Sequence, residues 1–161
     1  SIVMWVVYNE GWGQYETPAV TGYVMALDTT RLVNSASGWT DRGTGHVLDI
    51  HHYPDPVAPG PEKERAIVLG EFGGLGLPVE GHTWEQKNWG YEKMGDTTSL
   101  LNKYSEFYAA VRQMVAEKGL SASVYTQTTD VETETNGLMT YDRKVDKMGY
   151  ENVRKAMEGS K

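Results

Sequence analysis

Five short apolar runs constrain the fold of this chain more than any other feature: Ile2–Tyr8, Leu32–Ser35, Val47–His51, Ala66–Gly70 and Ala122–Tyr125. Ile2–Tyr8 and Ala66–Gly70 are continuously apolar rather than alternating, the pattern of parallel strands covered on both faces. Helical stretches fall between several of the runs. The clearest is Ser99–Lys118, in which Leu100, Leu101, Tyr104, Phe107, Tyr108, Val111, Met114 and Val115 form one apolar stripe. Ser99 is the predicted N-cap and Gly119 the predicted stop. A second helix is expected after Pro18, which suits a first helical turn, and a third over Tyr150–Met157. The segment after Val47–His51 carries Pro54, Pro56, Pro59 and Pro61, which leave room only for a short helical stretch near Glu62–Arg65. Residues Gly73–Thr98 read as one long loop holding Trp84, Trp89 and Tyr91, and loops of that length usually carry function or are mobile. The class expected is α/β, built of strand–crossover–strand steps.

Length and charge limit what the chain does. Its 161 residues, without repeat or linker, suit one globular unit with no separate second domain. A formal net charge of −7 with scattered Lys and Arg argues against nucleic acid as a partner. There is no cysteine, so disulfides, thiolate metal sites and a thiol nucleophile are all excluded. No apolar stretch approaches the ~20 residues that span a bilayer, and a membrane partner is not expected. Localisation stays open.

Two of the apolar runs end in a glutamate, Glu10 after Ile2–Asn9 and Glu71 after Ala66–Gly70. In parallel α/β folds the chemistry sits just past the carboxyl ends of strands, so the two acids read as a catalytic pair. An acid in this place also serves simply to cap the next turn. What favours the catalytic reading is that an aromatic and glycines follow each one, Gly11-Trp12-Gly13 and Phe72-Gly73-Gly74. The backbone there turns sharply beside a ring able to line a sugar pocket.

Three motifs, Trp5-x-x-Tyr8-Asn9-Glu10, Asp49-x-His51-His52-Tyr53-Pro54 and Gly70-Glu71-Phe72-Gly73-Gly74, resemble the catalytic barrel of glycoside hydrolase family 2, which includes β-galactosidases and β-glucuronidases. The resemblance runs from residue 1 to about Arg143. It implies that the five runs are barrel strands four to eight and that the chain is the C-terminal portion of a catalytic domain: a partial (β/α)₈ TIM barrel of about five parallel strands with crossover helices. A whole barrel needs at least ~200 residues. It follows that strands one to three are missing, that the isolated chain is a candidate for inactivity, and that uncovered edges would drive association into a homo-oligomer.

By the same resemblance Glu10 is the general acid/base, Asn9 a partner for the sugar hydroxyl beside the reacting carbon, and Glu71 the nucleophile, with Tyr53 hydrogen-bonded next to it. The residue types suit the chemistry. A retaining glycosidase needs one protonated carboxyl to donate to the leaving oxygen and one ionised carboxyl to attack the anomeric carbon. The implied activity is hydrolysis of a β-glycoside by double displacement.

The remaining candidates are substrate contacts. Asp49, His51 and His52 are residue types that bind metal, but on a strand Asp49, His51 and Tyr53 share one face and His52 takes the other, which favours sugar contacts over a metal. No metal or cofactor is expected. His46 and His82 read as solvated loop residues. Trp5 reads as core or pocket floor, and the loop residues Trp12, Trp39, Trp84 and Trp89 as sugar platforms. Tyr125 and Gln127 end the last run where the family commonly has a tryptophan, which leaves the preferred sugar open. Two other classes remain: a carbohydrate-binding domain without turnover, favoured by the aromatics but not by the paired acids, and a structural fragment with neither property.

Overall fold

The computed structural model describes residues 1–159. The elements run β1 (Met4–Asn9), α1 (Thr17–Leu27), β2 (Leu32–Ser37), β3 (Val47–His52), β4 (Ala66–Gly73), β5 (Leu75–Gly76), β6 (Glu92–Lys93), α2 (Thr97–Lys118), β7 (Leu120–Thr126) and α3 (Tyr150–Glu158). They fall into two compact units. The first comprises Ser1–His51, Val57–Glu71 and Met114–Ser123; the second comprises His52–Pro56, Phe72–Gln113 and the residues from Val124 onward. No helix among the described residues is long and apolar enough to cross a membrane.

In the first unit β1 and β2 pair in parallel, with Met4 opposite Leu32 and Asn9 opposite Ser37. The crossover between them is α1, which carries Pro18 in its first turn, where a missing N–H costs nothing. A second sheet has the order β3-β4-β7, and this unit holds its residues 47–51, 66–71 and 120–123. Val33, Ala36, Val47, Ile67, Val68, Leu69 and Leu120 form the buried apolar set of this unit.

In the second unit the buried residues of α2 are Leu100, Tyr104, Phe107, Tyr108 and Val111, five of the eight in the expected stripe; Leu101 and Met114 are half-buried and Val115 is 52% exposed. Phe72 is fully buried and meets the rings of Phe107, Tyr108 and Tyr125 at centroid distances of 6.3, 5.8 and 5.6 Å. The helix starts two residues earlier than expected. Asp96, not Ser99, caps it: the Asp96 carboxylate accepts the Ser99 N–H at 2.7 Å, while the Ser99 hydroxyl accepts the Asp96 N–H at 3.1 Å. Gly119 follows in the left-handed region, φ +74°, as a helix-ending glycine does. The expected long loop contains a two-stranded parallel ladder, β5 with β6.

The partial TIM barrel is overturned. Among the described residues the strands divide into sheets of two, three and two, and no five-stranded sheet with crossover helices forms. The break lies between β2 and β3. There the Val33 N–H is accepted by the His46 ring Nδ1 at 2.8 Å, and the His46 N–H goes to the Val33 carbonyl, also at 2.8 Å. A side chain and an isolated antiparallel bridge, Asn34 with Gly45, stand where a barrel would continue its ladder. His46 is therefore a structural residue rather than a solvated one. The connections also lack helices: residues 38–46 and 53–65 are irregular, including the stretch near Glu62–Arg65. Four prolines in the second connection explain its irregularity.

The burial of the first run is a further correction. Val3 is 77% exposed, Val6 51% and Trp5 37%, so β1 is not covered on both faces, whereas Ile67–Gly70 of β4 is buried throughout. Trp5 lies at the surface, donating its indole N–H to Asp28 at 2.9 Å.

Candidate active site

The first unit brings together Glu10, His51 and Glu71. Glu10 follows β1 and lies in the left-handed region, φ +56°, which is costly for a residue with a Cβ. Neighbouring groups hold it there. Its N–H donates to the Ser37 carbonyl at 2.6 Å, and the Gln14 side-chain amide donates to the Glu10 carbonyl at 2.8 Å and to the Thr40 carbonyl at 3.1 Å. The polar turn after the strand thus re-aims the carboxylate. Glu71 sits within β4, two-thirds shielded by its neighbours.

The His51 imidazole is completely buried. Its Nδ1 lies 3.1 Å from Glu10 Oε1 and 3.4 Å from Glu71 Oε2, and its Nε2 lies 2.8 Å from the Ser37 hydroxyl. One donor atom from each of Glu10, His51 and Glu71 falls within 4.8 Å of the others, so a carboxylate oxygen of each glutamate is within that distance of its counterpart. One imidazole nitrogen and two carboxylate oxygens are also ligand types for a divalent ion. The same three atoms suit proton transfer.

Asp49, two residues before His51 on β3, is 4% exposed. It accepts the Asn34 side-chain amide at 2.6 Å and the Gly70 N–H at 2.8 Å. Burial pushes its carboxyl above the ordinary value, and these hydrogen bonds oppose that rise. Two glycines make the packing feasible. A Cβ on Gly70 would overlap the Asp49 carboxylate, and one on Gly38, which has φ +86°, would stand 2.5 Å from His51 Cγ.

The other residues singled out from the sequence are distributed as follows. In the first unit Asn9 is exposed, and Trp12 and Trp39 are 79% and 54% exposed. In the second unit Tyr53 donates its hydroxyl to Thr126 at 2.9 Å and stacks on Tyr91 with centroids 3.8 Å apart. The Tyr125 hydroxyl accepts the Leu75 N–H at 3.4 Å, and burial raises its pKa. Gln127 donates its amide to the Asn136 side chain at 2.9 Å. His52 is exposed and bonds the Asp55 carbonyl at 2.7 Å, so it does not join His51.

Sequence reasoning missed Ser37 and Asn34. The signal was available: β2 reads Leu-Val-Asn-Ser-Ala-Ser, and polar side chains inside an otherwise buried strand have to satisfy their hydrogen bonds within the fold. No protein-family model matches this chain, and no curated protein matches it significantly.

Proposed function

We propose that the chain carries the catalytic carboxylate pair of a retaining β-glycosidase, resembling glycoside hydrolase family 2, with Glu71 as nucleophile and Glu10 as general acid/base. The observation that supports this reading is the approach of the two carboxylates, with oxygens within 4.8 Å of each other across one imidazole nitrogen. Retaining enzymes keep their carboxyl groups ~5–5.5 Å apart so that one attacks the anomeric carbon directly, whereas inverting enzymes leave ~6.5–9.5 Å for a water. In the first step the Glu71 carboxylate bonds the anomeric carbon while Glu10 gives its proton to the departing oxygen. In the second, Glu10 takes a proton from water as that water displaces Glu71.

Kinetics on aryl β-galactosides and β-glucuronides test this. Glu71→Gln is expected to abolish turnover for every leaving group. Glu10→Gln is expected to cost ~10²–10⁴-fold on poor leaving groups and much less on nitrophenolates, which need no proton. Equal losses across leaving groups would remove Glu10 from its role. The exposed Trp12 and Trp39 support a second reading, a carbohydrate-binding surface without turnover. Saturable oligosaccharide binding with no cleavage of any aryl glycoside would favour it.

A further inference from the structure

Glu10, His51 and Glu71 all belong to the first unit, and the two carboxylates converge on one imidazole nitrogen. His51 Nδ1 lies 3.1 Å from Glu10 Oε1 and 3.4 Å from Glu71 Oε2. A ring nitrogen carries at most one hydrogen, and one hydrogen makes one linear bond. A dication in the same place serves all three atoms at once. Zinc holds nitrogen at ~2.0–2.1 Å and carboxylate oxygen at ~2.0–2.2 Å in a tetrahedron, which sets its ligand atoms about 3.3–3.5 Å apart. One of the two nitrogen–oxygen separations falls on that edge and the other a little short of it. The carboxylate oxygens lie within 4.8 Å of each other, on two side chains that both reach solvent and can turn toward an ion.

We propose that Glu10, His51 and Glu71 bind one divalent transition-metal ion of the zinc type, and that the bound ion switches the site off. His51 is the fixed ligand. Its ring is completely buried, and the Ser37 hydroxyl lies 2.8 Å from Nε2. Metal-binding imidazoles ordinarily bond their second nitrogen to an outer partner of this kind, which orients the ring and raises affinity. With an ion on Nδ1 the ring hydrogen is on Nε2, and the Ser37 oxygen accepts it. The glutamates are the adaptable ligands: their side chains are 17% and 32% exposed, so an ion enters from solvent and keeps a water in its fourth position. The nitrogen selects the class of ion, because imidazole suits zinc and its neighbours whereas magnesium and calcium take oxygen. A carboxylate held by the ion neither attacks carbon nor delivers a proton, so a filled site loses Glu71 and Glu10 together and excludes the sugar. Among the described residues this is the one cluster of three such side chains with ligand atoms this close. The His82–Asp142 pair of the second unit, 2.9 Å apart, offers two ligands and serves as a control.

The inhibition rests on the glycosidase reading, but the ion site does not, and the test separates them. Calorimetric titration of chelator-treated protein with zinc and with magnesium reads the site whether or not the protein turns over. One zinc per chain is expected at this site, bound on the order of 10-fold or more tighter than magnesium. Glu10→Gln and Glu71→Gln are each expected to weaken zinc on the order of 100-fold. Ser37→Ala keeps all three ligands and the buried ring, and is expected to weaken it on the order of 10-fold, with recovery in Ser37→Thr, which returns the hydroxyl. His82→Gln should leave this binding unchanged. With an aryl β-glycoside, zinc is expected to raise the apparent KM and leave kcat unchanged, and EDTA to reverse the effect. Absence of zinc binding at millimolar zinc overturns the proposal, as do magnesium binding of equal strength and zinc binding that Glu10→Gln and Glu71→Gln leave intact. Undiminished turnover with the site filled overturns the inhibition. Zinc held by these residues in a protein that cleaves no glycoside upholds the ion site and counts against the glycosidase reading alone.

Discussion

At the scale of the residue, Asp49 links stability to the site. Its carboxyl is buried, and burial holds its pKa above the ordinary 3.8. Between 3.8 and that raised value the native state binds more protons than the unfolded chain, so this contribution to stability is present at low pH and declines as pH rises through the folded value. Urea unfolding of wild type and Asp49→Asn across the acid range is expected to show this decline in wild type only. An identical pH slope in both proteins would contradict it. Glu10, Glu71 and His51 were legible in the sequence because each ends or lies in an apolar strand. Ser37 and Asn34 were not, since their role depends on what lies across from them on β3. Asp49 was legible as part of the site, but local sequence gave no sign that its oxygens would be occupied by Asn34 and Gly70.

Elements repeat the contrast. The buried part of the α2 stripe, the start of α1 near Pro18 and the run of α3 follow directly from spacing and from the positions of proline and glycine, which are local properties. Cover is not local, as β1 and β4 show: both are strongly apolar, yet Leu69 is fully buried while Val6 is 51% exposed. Leu69→Ala is therefore expected to cost about 2–5 kcal/mol in denaturant unfolding, the range for a large buried aliphatic. Val6→Ala should fall within about 0.5 kcal/mol of wild type, as substitutions at uncovered positions do. Comparable losses at the two positions would mean that β1 is covered in solution. The β5–β6 ladder escaped the sequence reading because two residues per strand carry no periodicity.

For the whole molecule, the motif order suggested one continuous parallel sheet, and the backbone pairing does not provide it. Five strands of suitable composition are present in the expected order, but β2 and β3 are separated by His46 and Gly45, and no helix connects β2 to β3 or β3 to β4. Strand existence was legible from composition; closure into a common sheet depends on pairing between distant segments, which no local pattern records. The candidate site does not depend on that closure. Glu10 and Glu71 are held in one unit by the ladder of β1 with β2, by the β3-β4-β7 sheet and by the buried His51 between them.

In the proposed reaction Glu71 attacks the anomeric carbon. Incubation with a 2-deoxy-2-fluoro-β-glycoside bearing a good leaving group, followed by mass spectrometry of proteolytic peptides, tests it directly, because fluorine at carbon 2 slows release of the glycosyl-enzyme relative to its formation. One added glycosyl mass is expected on the peptide containing Glu71, and none in Glu71→Gln. A label on Glu10 or on any other carboxylate, or release of the aglycone at an undiminished steady rate with no label on any peptide, would contradict it.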